Sequence, residues 1–229
     1  MHYFTPEQLK QNLDPFQTWA SIYNDALGVY PGPIYLSSVN NPDSWFEKGF
    51  IDSAGNQLKL SDGKPILQYF SFLFNSVLVL GDLPAGSYQI ALLSDDSSIL
   101  KLSGAITNTN GTTSDLVVNN DKIQSFNMAC GNKPLDLSAT SQIPLELDYA
   151  DGPPVYTGIM IMVRPTPANG QLDQECGSSH DDGYWFDNSN YPAPTVPLTA
   201  FKNLQNRGWR VLDASNYMLP ANSKPNPCM

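Results

Sequence analysis

The strongest constraint on the fold is a period of two in the apolar residues, which extends from about residue 34 to residue 165. Successive side chains of a β-strand point to opposite faces, so this alternation predicts strands with one buried face. Turn residues separate the strands, and no helical period lies between them, which predicts an all-β, antiparallel sandwich or barrel. The alternating positions are Phe70, Phe72, Phe74, Tyr88, Ile90, Leu92, Leu145, Leu147 and Tyr149.

Two further apolar runs add strands to this set. Ile99 to Leu102 predicts a strand that ends near Gly104, and Ile159 to Val163 is the continuous apolar run of a strand buried on both faces. The pair Asn110-Gly111 predicts a tight turn between strands.

The two ends of the chain differ from this central part, which suggests the boundaries 1–33, 34–165 and 166–229. Residues 1–33 predict a helical segment, because Thr5-Pro6 suits a helix start and apolar residues then recur at a spacing of three and four. Residues 166–229 are rich in proline but also in aromatic residues, which predicts an extension packed on the β-domain. A short helix is expected near residues 198–206, with Phe201 and Leu204 inward and Gly208 at its C-terminal end.

The net negative charge of the chain excludes nucleic acid as a partner. Acidic residues outnumber basic ones 22 to 12, for a net charge of −10, and nucleic-acid binding depends on Lys and Arg neutralising phosphates.

No apolar run approaches the roughly 20 residues of a transmembrane helix. The first residues lack the basic flank and apolar stretch of a signal peptide, so the chain is cytosolic or begins where a leader was removed. Few charged residues and many Gly, Pro and small polar residues favour an extracellular or cell-surface protein.

Three cysteines, Cys130, Cys176 and Cys228, lie far apart and form no CxxC pair, which argues against a thiolate metal site. One disulfide and one leftover thiol would suit a secreted protein, whereas three buried thiols would suit a cytosolic one. We expect Cys176 to pair with Cys228, because a bridge there would restrain the proline-rich tail. Pairing of Cys130 with either partner stays open.

The stretch from Gly81 to Gly104 contains a Gly-x-Tyr strand start, Gly86-Ser87-Tyr88, and the block Ser94-Asp95-Asp96. It resembles the core of the protective-antigen-like β-domain, the PA-fourteen family of toxins, glycosidases and adhesins, over roughly residues 34–165. In lectin-like members, paired aspartates, often joined by a cis peptide bond, hold Ca²⁺ that binds sugar hydroxyls. The resemblance therefore implies that Asp95 and Asp96 are calcium ligands and that a glycan is the partner.

The other calcium ligands are open in the sequence. Ca²⁺ takes six to eight oxygen ligands, and the candidates are Asn119, Asn120, Asp121, Asp148 and Asp151. The usual glycine after the acidic pair is Ser97 here, which departs from the family pattern. A polar turn, in which Asp side chains cap nearby backbone amides, is the alternative interpretation of Asp95-Asp96.

Other polar and aromatic residues give weaker signals. Flat rings that could stack on a sugar are Trp45, Tyr184, Trp185 and Trp209, although packing in the core explains them equally. A second acidic group, Asp173, Glu175, His180, Asp181 and Asp182, is interpreted as a solvated loop. Asn110-Gly111-Thr112 matches the acceptor pattern for N-linked glycosylation, although turn chemistry also explains it.

Together these features predict an extracellular or cell-surface carbohydrate-binding module of the adhesin type, dependent on Ca²⁺. The alternative is a structural module that contacts other subunits of a surface assembly and holds neither metal nor sugar. We expect no enzyme activity, because no nucleophile motif or phosphate-binding glycine loop is present. A glycoside hydrolase that uses two separated carboxylates is the catalytic alternative.

Overall fold

The computed structural model describes most of the chain from residue 70 onward and short pieces before it. The described residues are 2–3, 28–29, 40–45, 59, 62–65, 67, 70–152, 156–178, 185–187 and 196–221. The helical segment expected within residues 1–33 lies outside these ranges, apart from two short strands that border it. In the part of the chain described, no helix has the length and apolar character needed to cross a membrane.

Within the described residues, the first sheet has seven antiparallel strands. In chain order they are β1 (His2–Tyr3), β2 (Gly28–Val29), β4 (Phe70–Leu78), β6 (Ser97–Thr107), β7 (Thr113–Asn120), β10 (Ile143–Asp151) and β15 (Tyr217–Met218). Their order across the sheet is β2-β1-β4-β10-β6-β7, and β15 pairs with β4. The long strand β10 is therefore central and pairs with β4 on one side and β6 on the other.

The second sheet has six antiparallel strands in the part of the chain that the structure describes. They are β3 (Asn40–Trp45), β5 (Gly86–Asp95), β8 (Asn127–Cys130), β9 (Leu135–Leu137), β11 (Tyr156–Pro165) and β14 (Arg210–Val211). The order is β14-β11-β5-β8, with β3 also on β11 and β9 also on β5. A separate two-stranded pair joins β12 (Phe186–Asp187) and β13 (Val196–Pro197).

The main core lies between the two sheets. Its members at the alternating positions of both sheets are all buried, and they include Leu92, Leu100, Leu102, Leu145, Leu147, Tyr149, Ile161 and Val163. Two antiparallel sheets that bury their alternating positions against each other form a β-sandwich. The all-β, antiparallel sandwich predicted from the period of two is thus confirmed.

A second core lies on the outer face of the second sheet and explains why two strands are apolar at consecutive positions. Ala91 and Leu93 of β5 point away from the main core and pack with Met160 and Met162 of β11. The C-terminal residues cover this face, through Trp185, Phe186, Phe201, Leu204 and Trp209. The extension predicted to pack on the β-domain therefore does so.

The short helix near residue 200 agrees with its prediction. Helix α1 spans Thr199–Asn206 and buries Phe201 and Leu204. Gly208 follows at a φ of +93°, a left-handed conformation that glycine adopts without steric cost.

Two expectations from the sequence are wrong in detail. The strand expected to end near Gly104 continues to Thr107, because Gly104 takes a positive φ of 65° where the pairing of β6 with β7 shifts register, and β6 then resumes.

The disulfide joins Cys176 to Cys130, not to Cys228. Cys130 ends β8, and the turn that carries Cys176 lies against that strand, with Gly177 close to the Met128 carbonyl. Cys228 lies outside the described residues.

Candidate metal centre

The paired aspartates lie where the chain passes from one sheet to the other. β5 of the second sheet ends at Asp95, β6 of the first sheet begins at Ser97, and a cis peptide bond joins Asp95 to Asp96. Strand β10 runs antiparallel to β6, with Ala150 opposite Ser97, so that the C-terminal end of β10 meets the start of β6. This register brings Asp151, the last residue of β10, beside the aspartate pair.

Three carboxylates converge at this point. One oxygen of each of Asp95, Asp96 and Asp151 lies within 4.8 Å of the others. The three residues are 8%, 5% and 1% exposed. Ionised carboxylates this close and this buried repel one another, and a divalent cation between them would offset the repulsion. Carboxylate oxygens are hard ligands of the kind that Ca²⁺ takes, so the donor set fits this ion.

The backbone holds the Asp96 carboxylate in place. Its Oδ1 accepts a hydrogen bond from the Gln124 backbone N–H at 2.8 Å, and its Oδ2 accepts one from the Gly152 N–H at 2.7 Å. Hydrogen bonds to a charged acceptor are among the stronger ones in proteins. The donors come from the loop after β7 and from the end of β10, so this side chain joins three parts of the chain.

Tyr149 supports the other two aspartates from within the core. Its hydroxyl donates to the backbone carbonyl of Asp95 at 2.5 Å and lies 3.4 Å from Oδ1 of Asp151. Thr157 Oγ1 donates to the same Asp151 oxygen at 3.3 Å. Burial, and then the negative charges of Asp151, Asp95 and Asp96, raise the pKa of Tyr149 well above its ordinary value. The phenol therefore stays protonated and remains a donor.

A buried polar network lies behind the aspartate pair. Ser94 Oγ donates to the backbone carbonyl of Asp96 at 2.9 Å and shares a 2.7 Å hydrogen bond with Ser98 Oγ. Asn120 Nδ2 donates to Ser94 Oγ at 2.9 Å and to the Asn127 carbonyl at 3.0 Å. Asn120, proposed from the sequence as a ligand, thus uses its amide nitrogen to support the loop.

The two neighbours of Asn120 also have local partners. Asn119 is exposed, and its Oδ1 accepts the backbone N–H of Asp121 at 2.8 Å. Asp121 is 7% exposed and accepts the Ser97 hydroxyl at 2.6 Å. Burial raises the pKa of Asp121, and the hydrogen bond from Ser97 opposes that shift in part. Asp121 lies outside the group of three carboxylates.

The strand periodicity distinguishes Asp151 from Asp148, which the sequence left as equal candidates. Asp151 continues the series Leu145, Leu147 and Tyr149, which faces the main core. Asp148 is also buried, but it lies between Leu147 and Tyr149 in the chain, so its side chain points to the opposite face of β10. Tyr149 and Thr157 were not identified from the sequence as residues that support the aspartates. For Asp151 the sequence does contain a usable signal, because this carboxylate continues an inward-facing apolar series at the end of a strand.

Two of the four aromatic residues considered as sugar platforms are buried in the second core, away from the aspartates. Trp185 is 2% exposed and Trp209 is 1% exposed, both in the second core, so neither ring presents a free face to a sugar. Tyr184 lies outside the described residues. Trp45 ends β3, and only its backbone is described.

The second acidic group is not wholly a solvated loop. The Asp173 side chain is 7% exposed and accepts hydrogen bonds from Arg207 Nε at 2.9 Å and Trp209 Nε1 at 2.8 Å. Burial opposes ionisation of Asp173, but the hydrogen bonds from Trp209 and Arg207 outweigh it and lower its pKa. Asp173 therefore attaches the C-terminal extension, whereas Glu175 is 73% exposed. His180, Asp181 and Asp182 lie outside the described residues.

The chain matches no known family model, and no curated protein is similar to it.

Proposed function

We propose that this chain is a non-catalytic, extracellular or cell-surface carbohydrate-binding module of the adhesin type, resembling the PA-fourteen family. The observation that carries the proposal is the group formed by Asp95, Asp96 and Asp151, whose carboxylates lie within 4.8 Å of one another at a sheet-to-sheet turn. The resemblance implied the first two of these residues as calcium ligands, and the third adds another carboxylate to the same site.

The three aspartates would hold Ca²⁺ through carboxylate oxygens. A bound calcium ion supplies coordination positions that two neighbouring sugar hydroxyls can fill. The carboxylates must stay close together for this, and the backbone N–H groups of Gln124 and Gly152 hold the Asp96 carboxylate in position by hydrogen bonds. Single-site affinity for a sugar would be modest, and several modules in one assembly would raise it through avidity.

An extracellular location agrees with the disulfide. Cys130 and Cys176 are bonded, and disulfides form and persist in oxidising compartments. Such a bond is rare in cytosolic proteins, where thiols are kept reduced.

A structural module that holds no metal is the second candidate, and one observation favours it. Both oxygens of the Asp96 carboxylate accept backbone N–H groups, so this side chain has a stabilising role without any ion. In this case the aspartate pair caps the loops, and the partner is another protein of a surface assembly.

Binding to a glycan array, in calcium and in EDTA, distinguishes the two candidates. We expect calcium-dependent binding by the wild type and loss of binding in Asp95→Asn. Asp136→Asn is the matched control, because Asp136 is an exposed acid on β9 and the charge change is the same. Absence of calcium-dependent binding across the array, in protein that is folded by circular dichroism, would contradict the carbohydrate proposal and favour the structural one.

A further inference from the structure

The loop between β6 and β7 presents the triplet Asn110-Gly111-Thr112 at its tip, and all three residues are exposed. Two backbone hydrogen bonds close the loop, from the Gly111 N–H to the Asn108 carbonyl at 2.9 Å and from the Asn108 N–H to the Thr112 carbonyl at 2.8 Å. A Cβ built on Gly111 would meet no atom within 4 Å. The exposure of all three residues leaves this tip accessible to a bulky surface modification.

The side chains of the triplet are already in contact. Asn110 Oδ1 accepts hydrogen bonds from Thr112 Oγ1 at 2.7 Å and from the Thr112 backbone N–H at 3.1 Å. Asn followed two residues later by Thr is the acceptor pattern for N-linked glycans. Asn110 is exposed, and among the described residues its amide nitrogen Nδ2, the atom that receives the sugar, makes no hydrogen bond.

The position of the loop is compatible with the candidate metal centre. Asp96 precedes β6 and Asn110 follows the end of it, and the 11 residues of this strand span at most roughly 36 Å, at about 3.3 Å per residue. A glycan on Asn110 would lie at the opposite end of the sandwich from the aspartates and would leave that site open.

We propose that Asn110 accepts an N-linked glycan when the chain passes through a eukaryotic secretory pathway. The donor is an oligosaccharide linked to a lipid pyrophosphate. A bond forms between Nδ2 of Asn110 and the anomeric carbon, and the bond from that carbon to the pyrophosphate oxygen breaks. The lipid pyrophosphate leaves, one Nδ2 proton passes to a base of the transferase, and no atom changes oxidation state. This inference rests on the secretory location in the proposed function and is independent of the calcium site.

The test is secretion of the full chain from a glycosylating eukaryotic host, followed by intact-mass and peptide mass spectrometry before and after treatment with a peptide:N-glycosidase. We expect a mass loss equal to one glycan, with the acceptor asparagine converted to aspartate in the peptide that contains residue 110. Asn110→Gln and Thr112→Ala should lose the modification, whereas Thr112→Ser and Thr113→Ala should keep it.

Secreted, folded wild-type protein with an unmodified Asn110 would overturn the inference, as would an unchanged glycan mass on Asn110→Gln. The calcium response of the same protein is measured separately, by thermal unfolding. Failure of the glycan result and failure of the calcium proposal are therefore distinguishable.

Discussion

The proposed calcium site predicts that the stability of this protein depends on calcium, because three carboxylates are buried close together in the folded state. An ion that binds only the folded state stabilises it by RT ln(1 + [L]/Kd), which is about 2.7 kcal/mol at a calcium concentration of 100 Kd. For a domain of this length, 1 kcal/mol shifts the unfolding midpoint by roughly 2–4 °C. We therefore expect calcium to raise the midpoint of the wild type by roughly 5–11 °C relative to EDTA.

Asp95→Asn should reverse the order of stability between the two conditions. In EDTA the variant should be at least as stable as the wild type, because two unit charges about 5 Å apart repel by roughly 3 kcal/mol at an effective dielectric constant of 20. In calcium the variant should be the less stable protein, because a ligand is gone. The backbone carbonyl that accepts the Tyr149 hydroxyl is unchanged by this substitution.

Thermal unfolding by circular dichroism checks this prediction, in excess calcium, in magnesium and in EDTA, with Asp136→Asn as the control that keeps the wild-type response. A wild-type midpoint that does not move at millimolar calcium would refute the reasoning. Equal calcium shifts in the wild type and in Asp95→Asn would place the ion elsewhere. A shift of the same size in magnesium would contradict the assignment to calcium, because Mg²⁺ requires a stricter octahedral geometry.

Three further substitutions test other parts of the structure by chemical or thermal unfolding. Leu147→Ala removes a fully buried side chain from the main core and should cost about 2–5 kcal/mol; a loss below 1 kcal/mol would contradict the sandwich packing. Asp173→Asn removes the charged partner of Arg207 and Trp209 and should cost about 1.5–3 kcal/mol at neutral pH. Because the folded-state pKa of Asp173 is lowered, that stability is present above the ordinary pKa of aspartate and is lost as the pH falls through the folded value; a difference that persists in acid would refute this. Asp121 has a raised folded-state pKa, so its ionisation costs stability as the pH rises, and Asp121→Asn should raise the unfolding midpoint at pH 7 more than at pH 4; equal effects at both would exclude the burial argument.

The fold class could be predicted from the sequence because strand periodicity is a local property. Leu145, Leu147 and Tyr149 alternate whatever their partners are, and all three are buried between the sheets. The helix at Thr199–Asn206 was predictable for the same reason, since its inward residues and its terminal glycine lie within ten positions of one another. The continuation of β6 past Gly104 was not, because the bulge depends on how β7 pairs across from it.

The candidate site likewise contains a part that the sequence predicts and a part that depends on the tertiary structure. Asp95 and Asp96 are adjacent in the chain, so their proximity and the loop between two strands follow from the sequence. Asp151 reaches them only because β10 pairs antiparallel with β6 in a particular register, which local pattern does not specify. The Cys130–Cys176 bond and the pairing of Asp173 with Arg207 likewise depend on where the C-terminal extension folds back. The amino-acid sequence by itself determined where β4, β5, β6, β10 and β11 lie, their buried faces and the acidic pair between two of them. The tertiary structure alone decided which distant residues meet, because contacts between remote segments are set by sheet order and register.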